Sequence, residues 1–182
     1  MLKLVDILDE KESVLHKVST EVTFPLDKKY LELIDDAYEY LRLSQDEKKC
    51  EELDLRAGMG LAFCQLGVLK RIFIISYKNE DGSFTEYTVI NPKLISYSSE
   101  LIYVEEGEGC LSVNREVDGI VPRHARITVG FYDINGNYKE ERVREEISVA
   151  FQHEMDHLDG IMFTDRINKD NPYKDMDKMR SI

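Results

Sequence analysis

Apolar residues recur every three or four positions in the segment that follows Pro25. In LDKKYLELIDDAYEYLRLS this spacing predicts an amphipathic helix that has the proline near its first turn. The apolar stripe consists of Leu26, Tyr30, Ile34, Ala37, Tyr38 and Leu41. The next segment, QDEKKCEELDLRAG, is charged and weakly apolar, which predicts a solvent-facing connection.

Alternating and β-branched runs fill the middle of the chain. RIFIISY and EYTVINP flank the turn pair Asp81-Gly82, and ARITVGFYD and YKEERVR flank Asn135-Gly136. Each set predicts a β-hairpin, because Asp-Gly and Asn-Gly favour the tight turns that join antiparallel strands. The segment between the hairpins, EEGEGCLSVNREVDGIVPRH, is rich in glycine and charge and predicts a loop.

A second helix is predicted to begin near residues 143–145 and to end by Gly160, a residue type that often follows a helix. Its core-facing residues would be Ile147, Ala150, Phe151 and Leu158. The order of elements predicts an α+β fold in which antiparallel sheets pack around this helix. Residues 1–182 are expected to form a single domain. The polar composition from about residue 169 predicts a mobile tail.

Composition narrows the functional classes. Of the 182 residues, 42% are apolar and 33% are charged, which is typical of a globular protein, and no apolar run has the length of a membrane span. The formal charge of −12 argues against a dedicated nucleic-acid surface. Acidic residues close to the start, such as Asp6 and Asp9, argue against a targeting segment, so a cytoplasmic location is expected.

The second helix contains the chemically informative sequence, QHEMDHLDG. His153 and His157 are four residues apart, so a helix presents both imidazoles on one face. H-E-x-x-H on a helix is a metal-hydrolase signature, in which the histidines bind the ion and the glutamate, here Glu154, acts on its water. Two of the four histidines lie in this pattern; His16 and His124 stand alone and are expected to be ordinary residues.

A catalytic metal site needs a third protein ligand. Thermolysin-like proteases use a downstream glutamate as this ligand, but no glutamate follows His157. Metzincins use a third histidine, and Phe163 occupies the corresponding position here. The soft donor left unassigned is Cys110, in the glycine-bounded loop sequence GEGCLS. The other cysteines, Cys50 and Cys64, have no metal-ligand spacing and are expected to be core residues. Asp156 is either a partner that orients an imidazole or an exposed acid.

Three ordered motifs resemble those of the peptide deformylases. They are GMGLAFCQ at 58–65, EGCLS at 108–112 and QHEMDHLDG at 152–160, with VPR at 121–123 between the last two. The resemblance covers most of the chain, and the long connection before Gly58 is similar to that of the longer bacterial subtype. It implies a small α+β domain that removes the formyl group from the formylmethionine of nascent peptides and releases formate.

The resemblance also implies residue roles. Cys110, His153 and His157 would hold one divalent metal, with Fe²⁺ the working ion and Zn²⁺ or Ni²⁺ able to replace it. A metal-bound water would attack the formyl carbon, with Glu154 as general acid/base. Oxyanion stabilisation would come from Gln65 and the Leu111 backbone N–H, and substrate pairing from the backbone of Met59, Gly60 and Gly109. The implied partners are N-formylmethionyl peptides and, transiently, the ribosome, without a membrane or a nucleic-acid surface.

Two residues depart from the family pattern. Phe63 stands where a second small alanine is usual, and Cys64 stands where proline or another residue is usual. Either the core accommodates the larger ring, or Gln65 is displaced and the pocket is altered. Two other functions also remain open: a zincin-type protease that cleaves internal peptide bonds, and a binding module that a four-ligand metal stabilises.

Overall fold

A computed structural model describes residues 2–182, and its centre is a five-stranded antiparallel sheet. In chain order the strands are β1 (Gly60–Ala62), β2 (Ile72–Lys78), β3 (Phe84–Tyr97), β4 (Leu101–Tyr103), β5 (Arg123–His124), β6 (Arg126–Tyr132), β7 (Tyr138–Arg144) and β8 (Arg180–Ser181). The helices are α1 (Lys28–Ser44), α2 (Glu47–Glu52), α3 (Glu145–Leu158) and α4 (Phe163–Arg166), with 3-10 turns at Leu4–Asp6, Ser13–His16, Phe63–Leu66 and Met176–Lys178. The α+β class is confirmed.

The five-stranded sheet has the order β1-β2-β3-β6-β7, and all its neighbours are antiparallel. The two predicted hairpins, β2-β3 and β6-β7, are both present. In the register of the first hairpin Ile75 lies opposite Tyr87, and in that of the second Val129 lies opposite Glu141. β1 and β7 are the edge strands of this sheet.

Both faces of the sheet are covered, and β2 shows why its sequence is apolar without alternation. Successive side chains of a strand point to opposite faces. Phe73 and Ile75 join the core cluster that contains Phe151 of α3, whereas Ile72 and Ile74 join the cluster that contains Leu41 of α1. The strand is therefore apolar at consecutive positions because each face packs against a helix.

The helix α1 agrees with the predicted amphipathic segment. The Asp27 side chain accepts a hydrogen bond from the backbone N–H of Lys29, which caps the first turn. The prediction of a solvent-facing connection after α1 is partly wrong, because this segment contains the short helix α2. Asp46 caps α2 through the backbone N–H of Lys49. This helix lacks an apolar stripe, so hydrophobic periodicity could not detect it.

The predicted second helix, α3, begins at Glu145, ends at Leu158 and is followed by Gly160. Gly160 has a positive φ of 73°, and a Cβ built there would lie 2.8 Å from the backbone carbon of His16, so glycine suits both the turn and the close packing. Phe151 and Leu158 are fully buried, as expected. The helix contacts strands of both sheets, including β1, β2 and β5.

A second, three-stranded sheet has the order β5-β4-β8 and was not predicted. Its strands have only two or three residues, which is too short for a periodic signal. In the tail, β8 runs parallel to β4, and Arg180 donates hydrogen bonds to Glu100 and Glu145. The mobility of the tail stays a prediction.

Among the helices of residues 2–182, none combines the length and the apolar character that a bilayer crossing requires.

Replacing Leu41 by alanine should destabilise the protein by about 2–5 kcal/mol, because the side chain is fully buried between α1 and the sheet. Urea denaturation monitored by circular dichroism measures this change. Leu53→Ala is the matched control, since Leu53 is 38% exposed, and it should cost less than about 0.5 kcal/mol. Equal losses in the two variants would contradict this packing.

Candidate metal centre

Two distant segments bring three potential metal ligands together. Helix α3 supplies His153 and His157, and the loop between β4 and β5 supplies Cys110. One ligand atom from each residue lies within 4.8 Å of the others, and the Cys110 Sγ is 3.3 Å from Nε2 of His157. All three residues are at least 91% buried. A thiol and two imidazoles in this arrangement could hold a divalent ion such as Zn²⁺ or Fe²⁺.

The loop that carries Cys110 is held in place by its backbone carbonyls. The guanidinium of Arg56 donates hydrogen bonds to the carbonyl oxygens of Val113 at 2.9 Å and of Leu111 at 3.4 Å. Arg56 lies just before β1, and its own backbone N–H donates to the Tyr40 hydroxyl of α1. The ligand loop is therefore tied to both β1 and α1.

His153 is oriented by Glu108, which the sequence did not single out. Nδ1 of His153 lies 2.9 Å from a carboxylate oxygen of Glu108, so Nε2 remains for the metal. The ring of Phe163 stacks on His153 with 5.9 Å between the ring centroids. Glu108 is the residue two positions before Cys110, and its acidic character in an otherwise glycine-bounded motif was the available signal.

A buried ion network lies beneath the ligands. Arg123 donates to Glu108 at 2.7 Å and to Asp156 at 2.6 Å, and Arg166 donates to the other oxygen of Asp156 at 2.6 Å. Burial alone would raise the pKa of Glu108, but the Arg123 guanidinium and His153 lower it to about 2. Both readings of Asp156 are wrong, because it is buried and pairs with arginines rather than with an imidazole.

Glu154 points from α3 toward β1. A Cβ atom on Gly60 would collide with its carboxyl group, so glycine at this strand position makes room for the acid. Burial raises the pKa of Glu154 to about 7, and its Oε2 has no hydrogen-bond partner among the described residues. A carboxyl group with a pKa near neutrality and a free oxygen is suited to accept and return a proton.

Gln65 lies at the other side of the cluster. Its Oε1 accepts a hydrogen bond from the backbone N–H of Ala62 at 2.8 Å, which orients the amide. Its Nε2 then faces Cys110, with Sγ 3.7 Å away, and donates to the Ser112 hydroxyl at 3.1 Å. A side-chain N–H donor is therefore present beside the potential ligands.

The two departures from the family pattern fit into the core. Phe63 is fully buried in the cluster under α1, where its ring centroid is 6.2 Å from that of Tyr30. Cys64 is also buried, and its Sγ donates to the carbonyl oxygen of His157 at 3.4 Å. Packing therefore explains both residues, and the Gln65 amide still reaches the cluster.

The remaining histidines lie outside the cluster, as expected. Cys50 also lies outside it, but the prediction that Cys50 is a core residue is wrong, because it is only half-buried. His16 is exposed and contacts the Glu10 carbonyl, and the ring of His124 packs against that of Tyr97 in a tilted arrangement, with 4.3 Å between the ring centroids. Cys50 donates to the Leu55 carbonyl at 3.2 Å. Within residues 2–182, His153, His157 and Cys110 are the one group of potential ligands that converges in this way.

The electrostatics of the cluster favour a cation. Burial lowers the pKa of His157 well below its ordinary value and keeps this imidazole neutral, as a metal ligand must be. For His153 the hydrogen bonds to Cys110 and Glu108 outweigh burial and raise the pKa well above the ordinary value. The site thus stabilises a positive charge between Cys110 and Glu108, and the residues present fit a bound metal ion.

The cluster opens into a cavity of about 750 Å³. Met59, Gly60, Gln65, Gly109, Cys110, Leu111, His153 and Glu154 all line it. The predicted metal, acid/base, oxyanion and substrate residues therefore share one cavity, with the exception of His157, which lies behind it and is fully buried.

An H-E-x-x-H helix beside a cysteine loop in an α+β domain defines a metal-dependent hydrolase. The family model described as polypeptide deformylase matches residues 4–173. Peptide deformylases from Oceanobacillus iheyensis and Levilactobacillus brevis are 44% and 43% identical, over 95% and 100% of this chain and 94% and 100% of theirs. This chain belongs to the polypeptide deformylase family, whose members remove formyl groups from nascent peptides by metal-dependent hydrolysis.

Solved structures agree with this assignment. The peptide deformylase from Thermotoga maritima superposes with a TM-score of 0.69 at 30% identity, covering 89% of this chain and 96% of that one. A class I type b peptide deformylase from Acinetobacter baumannii, crystallised with Met-Ala-Ser bound, gives a TM-score of 0.69 at 28% identity over 88% and 96% of the chains.

Arg123→Ala should destabilise the protein by about 3–5 kcal/mol, because it leaves the buried carboxylates of Glu108 and Asp156 without their shared cation. Urea denaturation of chelator-treated protein measures the loss. Arg115→Ala is the matched control, since it removes an exposed pair with Glu10 and should destabilise the protein much less. A loss at Arg123 no larger than the loss in this control would show that the network contributes little.

Proposed function

We propose that this chain releases formate from peptides that begin with N-formylmethionine, using one metal ion held by Cys110, His153 and His157. The observation that carries the proposal is the convergence of these three residues within 4.8 Å, beside the carboxyl group of Glu154. Three protein ligands leave room for a further ligand, which distinguishes a catalytic metal site from a structural one.

A divalent ion bound there would polarise a water molecule and lower its pKa toward neutrality. We propose Fe²⁺ as the working ion, as the resemblance to the peptide deformylases implies. Zn²⁺ or Ni²⁺ should be able to replace it, because a thiolate and two imidazoles suit all three ions. Glu108 supports His153 in this role by accepting a hydrogen bond from its Nδ1–H group. This bond fixes the tautomer in which Nε2 is free to bind the metal.

Glu154 acts as the general acid/base. Its unpaired Oε2 accepts the proton that the attacking water releases as the bond to the formyl carbon forms. The same carboxyl group then delivers that proton to the amide nitrogen of the methionine as the carbon–nitrogen bond breaks. Formate and a peptide with a free amino group are the products, and Glu154 returns to its starting state.

Gln65 and Leu111 stabilise the negative charge that develops on the formyl oxygen. The Gln65 amide is oriented by the backbone of Ala62, so its N–H group is positioned before the substrate binds. The backbone N–H of Leu111 follows directly after Cys110 and is the second proposed donor. Loss of one such donor at an oxyanion site typically costs about 3–4 kcal/mol of barrier.

The substrate is proposed to bind as an extended strand along β1. β1 is an edge strand, so the side of Met59 and Gly60 that does not pair with β2 is open to another strand. Gly109 borders the same cavity from the ligand loop. Backbone pairing would hold the peptide, and the Acinetobacter structure with Met-Ala-Ser shows that a relative binds a peptide starting with methionine.

Two rival functions make different predictions. A zincin-type protease would cleave internal bonds of an unblocked peptide, whereas a deformylase releases formate only from a formylated one. A metal-stabilised binding module would use four protein ligands, and the described residues bring three together. An assay of formate release on formylated and unblocked Met-Ala-Ser therefore separates these functions.

The proposal extends to the setting in which the enzyme works. Nascent peptides emerge from ribosomes in the cytoplasm, so we place the enzyme there, acting as one catalytic domain over residues 1–182. In the tail, Lys169 and Lys174 are exposed cations that support transient contact with the ribosome.

Glu154→Ala should lower turnover of formyl-Met-Ala-Ser by about 10²–10⁴-fold while the metal content stays at one ion per chain, because the variant loses the proton carrier and none of the ligands. Formate release and elemental analysis on the same preparation measure both quantities. Full turnover in this variant would refute the assigned role.

His157→Ala should lose the bound metal and, with it, formate release, since two ligands bind an ion far more weakly than three. Elemental analysis after anaerobic reconstitution with Fe²⁺, and separately with Zn²⁺, measures the stoichiometry. His16→Ala is the matched control because this exposed histidine lies outside the cluster, and it should retain one ion per chain. Retention of metal in the His157 variant would exclude the proposed ligand set.

A further inference from the structure

The peptide group between Cys110 and Leu111 carries the second donor of the proposed oxyanion site. Leu111 lines the cavity, and within residues 2–182 its N–H donates no hydrogen bond to another protein group. A planar trans peptide directs its carbonyl and its N–H to opposite sides. The groups that hold the Cys110 carbonyl therefore also set the direction of the Leu111 N–H.

Two donors hold that carbonyl. The backbone N–H of Val113 donates to the Cys110 oxygen at 3.0 Å, which closes a tight turn over residues 110–113. One guanidinium nitrogen of Arg56, Nη1, also donates to the Cys110 oxygen, at 3.4 Å. The same nitrogen donates to the carbonyl oxygens of Val113 and Leu111. Three of the four carbonyls of this turn thus lie against one cation.

Uncharged groups fix Arg56 in place. Its side chain also donates to the Asn114 amide oxygen. The buried Tyr40 hydroxyl accepts from the backbone N–H of Arg56 at 3.3 Å and donates to its carbonyl at 3.2 Å. Among the residues that the structure describes, no carboxylate pairs with Arg56, whereas Arg115 pairs with Glu10. The positive charge of Arg56 is therefore directed at the turn without being neutralised by an acid.

A cation on the carbonyl side of an amide strengthens the N–H on the other side. The amide is conjugated, so a positive charge at the oxygen draws electron density from the nitrogen and makes its hydrogen a better donor. A donor that is already oriented also needs no reorganisation when charge develops on the formyl oxygen. Both effects grow as the oxyanion forms, so they raise kcat rather than the affinity for substrate.

A purely structural role would also explain Arg56. An arginine that satisfies several carbonyls stabilises a loop whatever that loop does. In that case its loss would reduce the metal content, or would loosen the cavity and raise KM. The two roles therefore differ in what they predict for kcat, KM and the metal.

We propose that Arg56 is a positioning residue for the reaction: it orients the Cys110–Leu111 peptide group and polarises its N–H toward the formyl oxygen. This inference rests on the proposed function, in which that N–H stabilises the oxyanion. Removal of an oxyanion donor lowers kcat by about 10²–10³-fold, so loss of the residue that supports the donor should cost part of this, about 10- to 50-fold.

The test measures kcat and KM for formate release from formyl-Met-Ala-Ser in the native enzyme, Arg56→Gln and Arg56→Lys, with elemental analysis of each preparation. Arg56→Gln should lower kcat by about 10- to 50-fold, with KM within about two-fold and one metal ion per chain. Arg56→Lys keeps a positive charge behind the turn, so its kcat should be at least about three-fold higher than that of Arg56→Gln.

Arg42→Gln is the matched control variant. Arg42 lies on α1 and pairs with Glu86 outside the cavity, so both kinetic constants should stay within about two-fold of the native values. Three results would overturn the inference: an unchanged kcat in Arg56→Gln, a loss of activity accounted for by missing metal or a raised KM, or equal kcat values in the Lys and Gln variants. Absence of formate release by the native enzyme would instead contradict the proposed function itself.

Discussion

The buried guanidinium of Arg123 is the interaction on which the rest of the site depends. Helix α3 carries two imidazoles and two carboxyl groups into the protein interior, where isolated charges are costly. Arg123 compensates both Asp156, on the helix, and Glu108, on the ligand loop. Because Glu108 also orients His153, one cation links the loop that carries Cys110 to the helix that carries the histidines.

The parts of the fold that were predictable are those with a local signal. Three features show such a signal: the apolar stripe of α1, the two hairpins with Asp81-Gly82 and Asn135-Gly136, and the H-E-x-x-H helix. In each of them the pattern of side chains has the period of a helix or of a strand. Helix α2 and the strands β4, β5 and β8 have no such period, because they are short and are stabilised by neighbours that are distant in the sequence.

The residues of the site also divide into those with a local signal in the sequence and those without one. Residue chemistry and motif spacing indicated His153, His157, Glu154 and Cys110, and the structure brings these residues together. The network beneath them was not predictable, because an arginine beside a proline in VPR has no local feature that indicates burial between two acids. A single sequence records residue types, whereas the compensation of Glu108 and Asp156 by Arg123 is a property of three segments in contact.

The lack of a side chain at Gly60 has a consequence for inhibition. The space that a Cβ would fill belongs to the carboxyl group of Glu154, so even alanine would displace the acid. A compound that pairs only with the main chain of β1 at Gly60 would contact no side chain there that a mutation could change. Drug resistance through substitution of that residue would then come at the expense of the enzyme's own activity.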